Sequence, residues 1–337
     1  MSMSPTGYAR NGNVSLAYED HGGAGGEPLL LVMGSAVSRR WWPPGLIAAL
    51  IARGFHVAAF DNRDAGQSTR FPAATAHPVT ALFRKRIPAY TGEDLADDAA
   101  AVMDALGWKS AHLFGHSNGG LRVQRIAIRH PARVRSLVCS AAVSSDAGRL
   151  KLLRYIKFGF VAKMARLKFP EGREGDIALS MAVSRALASP GYPFDEAEAL
   201  ARVEQDEVSS VRDPKAMGRQ LGAHWSGGRL ARLRLPVTVM QGDADQFLRT
   251  SAARDLAKAV PGARLVIFPG VGHDIPPAMW GRYADEIRAT ASRAHEPPAG
   301  AVARIAMAAK MLGVTDTDRG RADADPVHPR EYGESAT

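Results

Sequence analysis

One short segment constrains this chain more than any other: residues 115–120 read Gly-His-Ser-Asn-Gly-Gly. It follows an apolar run at 111–114 and precedes a helix-like stretch at 121–130. Gly-x-Ser-x-Gly between a strand and a helix is typical of a sharp turn that lifts the serine hydroxyl above the edge of a parallel sheet. The helix that follows points its N-terminus at that hydroxyl. The pattern therefore predicts that Ser117 is a nucleophile in an α/β protein.

Strand-like and helix-like runs alternate on both sides of this turn. A type I′ hairpin is expected at Asn11 and Gly12. The short apolar runs predict strands at 28–32, 56–60, 110–114, 134–140, 237–240 and 264–268. Helical patterns fall at 41–53, 93–106, 118–130, 251–260 and 277–294, with Thr91 as the expected N-cap of the second. This alternation predicts a mostly parallel, mixed sheet with helices on both faces.

The alternation stops between residues 146 and 235, where the pattern is helical and interrupted by proline and glycine. We predict a core of residues 1–145 and 236–295, divided by a helical lid at 146–235. A lid inserted after the strand at 134–140 would lie over the serine turn. The extension at 296–337 is predicted to hold a helix at 299–312 and to be disordered from 315 onward.

Composition and charge narrow the class of protein to which the chain can belong. With 46% hydrophobic residues, the chain can build the large hydrophobic core of a soluble globular protein. Its formal charge of +9 predicts a basic surface. No known nucleic-acid module is recognisable, so nucleic acid is not an expected partner. The single cysteine, Cys139, lies in an apolar strand pattern and is interpreted as a buried small side chain. No apolar leader or membrane span is visible, which predicts a cytoplasmic protein.

A serine nucleophile needs a base, and the base needs a carboxylate. His273 follows two glycines in the loop after the strand at 264–268, where it can reach the sheet edge. Asp245 lies in the loop after the strand at 237–240 and is the favoured acid. Asp243 is an alternative that could instead bond its own turn. Asp146 is a further candidate, whose other interpretation is the N-cap of the first lid helix.

Two backbone N–H groups are expected to stabilise an oxyanion beside Ser117. One belongs to Asn118, the residue after the nucleophile. The other is assigned to Ser35, in the loop after the strand at 28–32, with Gly34 making the tight turn. His116 is interpreted as a packing residue, because neighbours at such a turn point apart. These residues supply nucleophile, base and oxyanion donors, so neither a metal nor an organic cofactor is predicted.

The start of the predicted lid is strongly basic. Residues 148–170 contain seven arginines and lysines, no acid, and many apolar residues. Three interpretations remain open: an amphipathic helix that covers the pocket with its lysines solvated, an interfacial helix that makes peripheral contact with a lipid surface, or a region that attracts an anionic substrate. The basic residues 84–86 would add to the same face.

The order Ser117, Asp245, His273 resembles that of the α/β-hydrolase superfamily. Residues 61–68, Asp-Asn-Arg-Asp-Ala-Gly-Gln-Ser, and residues 130–134, His-Pro-Ala-Arg-Val, are similar to segments of that superfamily. Residues 31–34 and 60–68 look most like the polyketide methylesterases typified by aclacinomycin methylesterase. The resemblance spans about residues 6 to 295. It implies the α/β-hydrolase fold, a helical cap and a carboxylic-ester substrate.

The expected function is therefore a serine hydrolase that cleaves a carboxylic ester through an acyl-enzyme, with a bulky apolar or polyketide-like methyl ester favoured. The same residues could serve a thioesterase, a C–C hydrolase or a cofactor-free perhydrolase. A non-catalytic ligand-binding module of the same fold is the alternative from a different class. Oligomeric state and physiological substrate are left open by the sequence.

Overall fold

The computed structural model of the protein describes residues 5–35, 37–72, 89–206 and 214–295. The predicted helix at 299–312, the predicted disorder after 315 and the basic residues 84–86 lie outside these ranges. Within them the dominant feature is one eight-stranded sheet. Its strands are β1 Thr6–Asn11, β2 Val14–Gly22, β3 Glu27–Val32, β4 Phe55–Phe60, β5 Ala111–His116, β6 Val134–Ser140, β7 Val237–Gly242 and β8 Arg264–Phe268.

The strands lie in the order β1-β2-β4-β3-β5-β6-β7-β8. The β1–β2 and β2–β4 pairs are antiparallel, and every later pair is parallel. Strands β5 and β7 are buried along their whole length. That burial explains why they read as unbroken apolar runs rather than alternating ones. Because the parallel strands run in one direction, their carboxyl ends form a single edge, and the loops after them meet there.

Helices cover both faces of the sheet. Their ranges are α1 Pro44–Ile51, α2 Gly92–Ala105, α3 Asn118–Arg129, α4 Arg149–Tyr155, α5 Phe158–Ala165, α6 Arg173–Leu187, α7 Glu196–Gln205, α8 Pro214–Gly222, α9 Thr250–Ala259 and α10 Trp280–Ser292. One core cluster joins α2, α3 and α9 to the sheet, and a second joins α1 and α10 to its other face. Thr91 caps α2 as predicted, in a reciprocal capping box with Asp94.

Between β6 and β7 the described residues form the helices α4 to α8 and the loops that join them, as the pattern predicts. A single antiparallel bridge, Ile156 to Leu248, is the exception, and it ties the α4–α5 junction to the loop after β7. The domain boundaries drawn from the sequence, and the function of this segment as a lid, remain proposals. We refer to residues 146–235 below as the insertion.

Three local predictions are wrong for identifiable reasons. Asn11 pairs with Val14, so the hairpin loop is Gly12 and Asn13. Only Gly12 has a positive φ, 57°, and glycine at the first loop position is typical of a type II′ turn rather than type I′. The helix predicted at 41–53 begins only at Pro44, where Pro43 and Pro44 start a new helix. Helix α4 begins at Arg149 after Gly148, so Asp146 is not its N-cap.

Candidate active site

Ser117 occupies the turn between β5 and α3 in a backbone conformation that is uncommon for a residue with a side chain. Its φ is 55° and its ψ is −125°. The turn needs glycine on each side, since a Cβ on Gly119 would lie 1.9 Å from the carbonyl oxygen of Val32. A Cβ on Gly115 would lie 2.4 Å from the carbonyl oxygen of Gly119. The two glycines therefore allow a turn that holds the Ser117 hydroxyl at the carboxyl edge of the sheet.

His273 and Asp245 meet Ser117 at this edge. The Ser117 hydroxyl lies 3.0 Å from Nε2 of His273, and Nδ1 of His273 lies 2.8 Å from Oδ2 of Asp245. The three side chains fit a hydrogen-bonded chain in which Ser117 donates to the imidazole and the imidazole donates to the carboxylate. Asp245 is fully buried and His273 is 5% exposed, so the hydrogen bond between them is shielded from water, whereas Ser117 is half-buried.

The carboxylate of Asp245 is held by further donors. Its Oδ1 accepts from the backbone N–H groups of Phe247 and Leu248, and its Oδ2 also accepts from Gln241. Burial alone raises the pKa of Asp245, but the charge of His273 and these hydrogen bonds outweigh it and lower the pKa to about 2. Asp245 is therefore ionised at neutral pH and suited to orient an imidazole.

The two alternative acids have other partners. Asp243 accepts a hydrogen bond from the backbone N–H of Gly270, which fixes the turn between the loops after β7 and β8. Asp146 accepts from the backbone N–H of Leu230, at the far end of the insertion. Neither carboxylate is hydrogen-bonded to His273, so among the three candidates the geometry selects Asp245.

The loop after β3 lies against the serine. A Cβ on Gly34 would lie 3.3 Å from Cβ of Ser117, so the loop approaches closely only because this residue is glycine. The side-chain amide of Asn118 donates to the Ser35 hydroxyl over 2.5 Å, which connects this loop to the first turn of α3. The assignment of the backbone N–H groups of Ser35 and Asn118 as oxyanion donors remains a prediction.

His116 lies closer to the catalytic imidazole than its interpretation as a residue pointing away suggested. Its ring centroid is 5.4 Å from that of His273 and 6.5 Å from that of Trp42. Burial and the charge of His273 lower the pKa of His116 to about 3, so it is neutral at pH 7. The imidazole of His116 therefore packs against that of His273. Cys139 is a buried small side chain, as predicted, and burial raises the pKa of its thiol to about 12.

The insertion contacts the loops that carry Asp245 and His273, and no sequence pattern predicted these contacts. The carbonyl of Leu187, at the end of α6, accepts from the backbone N–H of His273. The Lys157 ammonium donates to the carbonyl of Asp245. The ring of Phe247 lies between those of Phe160 and His273, with centroids 5.6 and 5.3 Å away. The loops that carry His273 and Asp245 are therefore held from the insertion as well as from the sheet.

The chain matches the model of the alpha/beta hydrolase fold family over residues 21–276. That match covers most of the chain and includes Ser117, Asp245 and His273. The chain belongs to the α/β-hydrolase family. None of the helices in the described ranges combines the length and the apolar character that a transmembrane span requires.

Two curated relatives of this α/β-hydrolase stand out. Rhodomycin D methylesterase DauP of Streptomyces sp. (strain C5) is 29% identical over 91% of this chain and all of its own length. The putative carbamate hydrolase RutD of Caulobacter sp. (strain K31) is 30% identical over 77% of this chain and 88% of its own. Among solved structures, the esterase RhEst1 from Rhodococcus sp. ECU1013 superposes with a TM-score of 0.66 at 23% identity, covering 87% of this chain and 99% of its own. The last likeness establishes the fold.

The segment at 61–68 that resembles the superfamily has a structural role in this α/β-hydrolase. Asp61 is buried and accepts from the backbone and the guanidinium of Arg39. Asp64, in the same segment, accepts two hydrogen bonds from Arg219 of α8 and one from Tyr90. Charge-assisted bonds of this kind fix a loop in one conformation. Through Asp64 and Arg219 the segment thus anchors the insertion at a second point.

Proposed function

We propose that this α/β-hydrolase is a serine esterase that cleaves a carboxylic ester through an acyl-enzyme. The observation that carries the proposal is the hydrogen-bonded chain from Ser117 through His273 to Asp245. Ser117 acts as the nucleophile, His273 as the base and Asp245 as the group that orients the imidazole. The similarity to a full-length methylesterase supports an ester, and specifically a methyl ester, as the substrate.

The reaction divides into two halves. Oγ of Ser117 attacks the ester carbonyl while its proton moves to Nε2 of His273. The tetrahedral oxyanion is stabilised by the N–H groups of Ser35 and Asn118. The C–O bond to the alcohol then breaks, and His273 returns the proton to the departing alkoxide. In the second half a water molecule gives its proton to His273 and attacks the acyl carbonyl. The bond between the acyl carbon and Oγ then breaks, His273 returns the proton to Oγ of Ser117, and the acid is released.

The insertion is proposed to act as a lid that walls an apolar pocket over Ser117. Its contacts with the His273 and Asp245 loops support this arrangement, because a lid must be fixed beside the residues that it covers. A bulky apolar or polyketide-like methyl ester is the proposed substrate class.

A substrate panel combined with intact-protein mass spectrometry tests the proposal. The purified full chain is given methyl esters of increasing acyl size, matched thioesters and amides, and an active-site-directed phosphonate. We expect turnover of bulky methyl esters and one phosphonate adduct per chain on Ser117. During turnover of a slow ester, the protein mass should increase by that of the acyl group. Absence of both phosphonate labelling and turnover would favour a non-catalytic binding module.

A further inference from the structure

Three arginine side chains are almost completely buried in the described ranges, and one of them lacks an acidic partner. Arg39 pairs with Asp61, and Arg63 pairs with Asp98. The third, Arg122 of α3, is 2% exposed. Within the described residues its Nη2 donates to neutral acceptors alone, Oε1 of Gln220 at 3.0 Å and the Ser35 hydroxyl at 3.5 Å.

Two further nitrogens of Arg122 lack a hydrogen-bond partner in the part of the chain that the structure describes. Among the described residues, nothing accepts a hydrogen bond from its Nε or Nη1. Burial lowers the pKa of Arg122 to about 10, so the group keeps its positive charge at neutral pH. An uncompensated buried charge is costly, and buried polar groups are almost always satisfied. The usual partner of such a group is an anion, and a guanidinium suits a carboxylate.

The position of Arg122 in α3 indicates where that anion would bind. Arg122 lies one helical turn after Asn118, so both side chains lie on the same side of α3. Both also reach the Ser35 hydroxyl, in the loop proposed to stabilise the oxyanion. Gly34 of that loop approaches Ser117 closely. An anion that binds to Arg122 therefore lies near the proposed reaction centre, on the side of the oxyanion.

We propose that Arg122 binds a carboxylate of the substrate, and that the preferred substrate is an ester of a dicarboxylic acid with one carboxylate free. This inference rests on the proposed esterase function and adds a charged group, one free carboxylate, to the proposed substrate. The second carboxylate would accept from the two unpartnered nitrogens of Arg122 while the ester carbonyl lies beside Ser117.

Paired substrates test the assignment. Monomethyl and dimethyl esters of diacids from four to eight carbons are compared in the wild type, in Arg122→Met and in the control Arg125→Met. Arg125 lies on the same helix, with its guanidinium over the ring of Trp225 at 5.4 Å. In Arg122→Met, kcat/KM for the best monoester should fall by about 10- to 100-fold, the usual effect of one charge-assisted hydrogen bond. The dimethyl ester should show no comparable loss, and Arg125→Met should keep the wild-type preference.

Two further results would overturn the proposal. An equal loss for mono- and dimethyl esters in Arg122→Met would mean that Arg122 acts on the oxyanion loop instead. A large fall in the melting temperature of Arg122→Met would indicate a structural role, whereas loss of an unpaired buried charge should leave it unchanged or raise it. Stabilisation of the wild type by succinate, absent in Arg122→Met, reports binding even if no ester is cleaved. It therefore separates failure of this inference from failure of the esterase proposal.

A different surface supports a second inference. Seven large apolar side chains are exposed in the described ranges, and four of them lie on α4 and α5: Leu150, Leu153, Phe158 and Val161. Leu150 is 82% exposed and Phe158 is 56% exposed. The described part of the chain therefore leaves these four side chains uncovered.

Basic residues alternate with these side chains in the sequence. Arg154, Lys163, Arg166 and Lys168 are exposed in the same stretch, and residues 148–170 contain no acid. Exposed leucine and phenylalanine between lysine and arginine are typical of a helix that lies in the headgroup region of a membrane. The basic side chains complement the negative charge of anionic lipids. We infer that helices α4 and α5 bind the surface of an anionic lipid bilayer.

Vesicle sedimentation tests this second inference. The full chain is mixed with vesicles of phosphatidylglycerol and phosphatidylcholine, or of phosphatidylcholine alone. Binding should require phosphatidylglycerol and should weaken at high salt. The double variant Leu150→Ser with Phe158→Ser should lower the partition coefficient by about tenfold or more, given the apolar area removed. The control Tyr8→Ser with Leu200→Ser changes two other exposed apolar residues and should bind as the wild type does.

A second pair of variants tests the contribution of charge to vesicle binding. Arg154, Lys163 and Arg166 are changed together to Gln, and in the control variant the exposed residues Arg10, Lys109 and Arg232 are changed to Gln. If both triple variants lose binding equally, the attraction is that of any basic protein and the inference is overturned. Concentration-dependent dimers without vesicles that the Leu150 and Phe158 changes abolish would assign this surface to a second copy, and would also overturn it.

Discussion

Ser117 and His273 meet across 156 residues of sequence, with the serine hydroxyl 3.0 Å from Nε2 of the imidazole. The two residues follow β5 and β8, which are separated in the sheet by β6 and β7. The loop after β8 must therefore fold back over two strands. The carbonyl of Leu187 and the turn bond from Gly270 to Asp243 both hold it there. The reaction geometry thus depends on the loops around the sheet as much as on the turn that carries Ser117.

Removing the serine hydroxyl should abolish ester turnover. In Ser117→Ala, kcat should fall on the order of 10⁶-fold if the three residues act as a unit. The matched control is Ser145→Ala, because the Ser145 hydroxyl is buried and has no hydrogen-bond partner in the described structure. Steady-state kinetics with the best methyl ester measures both variants. Turnover by Ser117→Ala within tenfold of the wild type would contradict the assignment of the nucleophile.

Two neighbouring acids should differ in their effect on catalysis. Asp245→Asn should lower kcat by about 10⁴-fold, because the amide favours the wrong imidazole tautomer. Asp243→Asn should lower it far less, because Asp243 bonds the Gly270 N–H rather than His273. Both kcat values are measured with the same ester and compared with the melting temperatures. A larger catalytic loss in Asp243→Asn would reassign the acid.

Because the pKa of Asp245 is low in the folded protein, the free energy of unfolding should fall as the pH is lowered. Its pKa is about 2 in the folded protein against 3.8 for an ordinary aspartate. The ionised group therefore contributes about 2 kcal/mol to the free energy of unfolding above pH 4, and this contribution is lost as the pH falls toward 2. Urea unfolding of the wild type and Asp245→Asn at pH 5 and pH 2 isolates the effect. The difference between the two proteins should shrink by that amount, and a constant difference would contradict the shift.

The glycine after Asn118 should be required for folding. In Gly119→Ala the new methyl group would lie 1.9 Å from the Val32 carbonyl oxygen, which belongs to a central strand and cannot move away cheaply. We expect loss of several kcal/mol of stability, comparable with the most damaging single substitutions. The control Gly159→Ala lies in a helix with open space around it and should be neutral or slightly stabilising. Thermal unfolding of both variants checks this, and a native-like melting temperature for Gly119→Ala would show that the turn can relax.

The sequence was sufficient for the central strands because burial on both faces gives them unbroken apolar runs. It was misleading where one residue shifts the register, as at Gly12, and where Pro43 and Pro44 restart a helix. The loop positions of His273 and Asp245 follow from topology, since both come after strands that end at the same edge. Their mutual contact could be inferred from the order of the chain.

The surroundings of the site could not be predicted in the same way. Arg122 follows from no motif, because helical spacing shows which face it shares with Asn118 but not that this face meets the Ser35 loop. His116 and Lys157 likewise gain their partners only through tertiary contacts with the His273 and Asp245 loops. The mixture of apolar and basic residues at 148–170 did mark α4 and α5 as unusual in the sequence. Sequence alone could not distinguish a covered face from an exposed one.

Ester turnover should need neither a metal ion nor an organic cofactor. A hydrolytic metal supplies an activated water or polarises a carbonyl, and both tasks have candidate groups in this chain. His273 is placed to activate Ser117 and then water, and the N–H groups of Ser35 and Asn118 are proposed to polarise the carbonyl. The full chain is therefore dialysed exhaustively against a strong chelator and assayed with and without added Zn²⁺, Mn²⁺ and Mg²⁺, with a zinc-dependent esterase as the positive control. We expect kcat and KM to be unchanged by either treatment. Activity that disappears on dialysis and returns with one of these ions would refute the metal-free mechanism and the roles assigned to these residues.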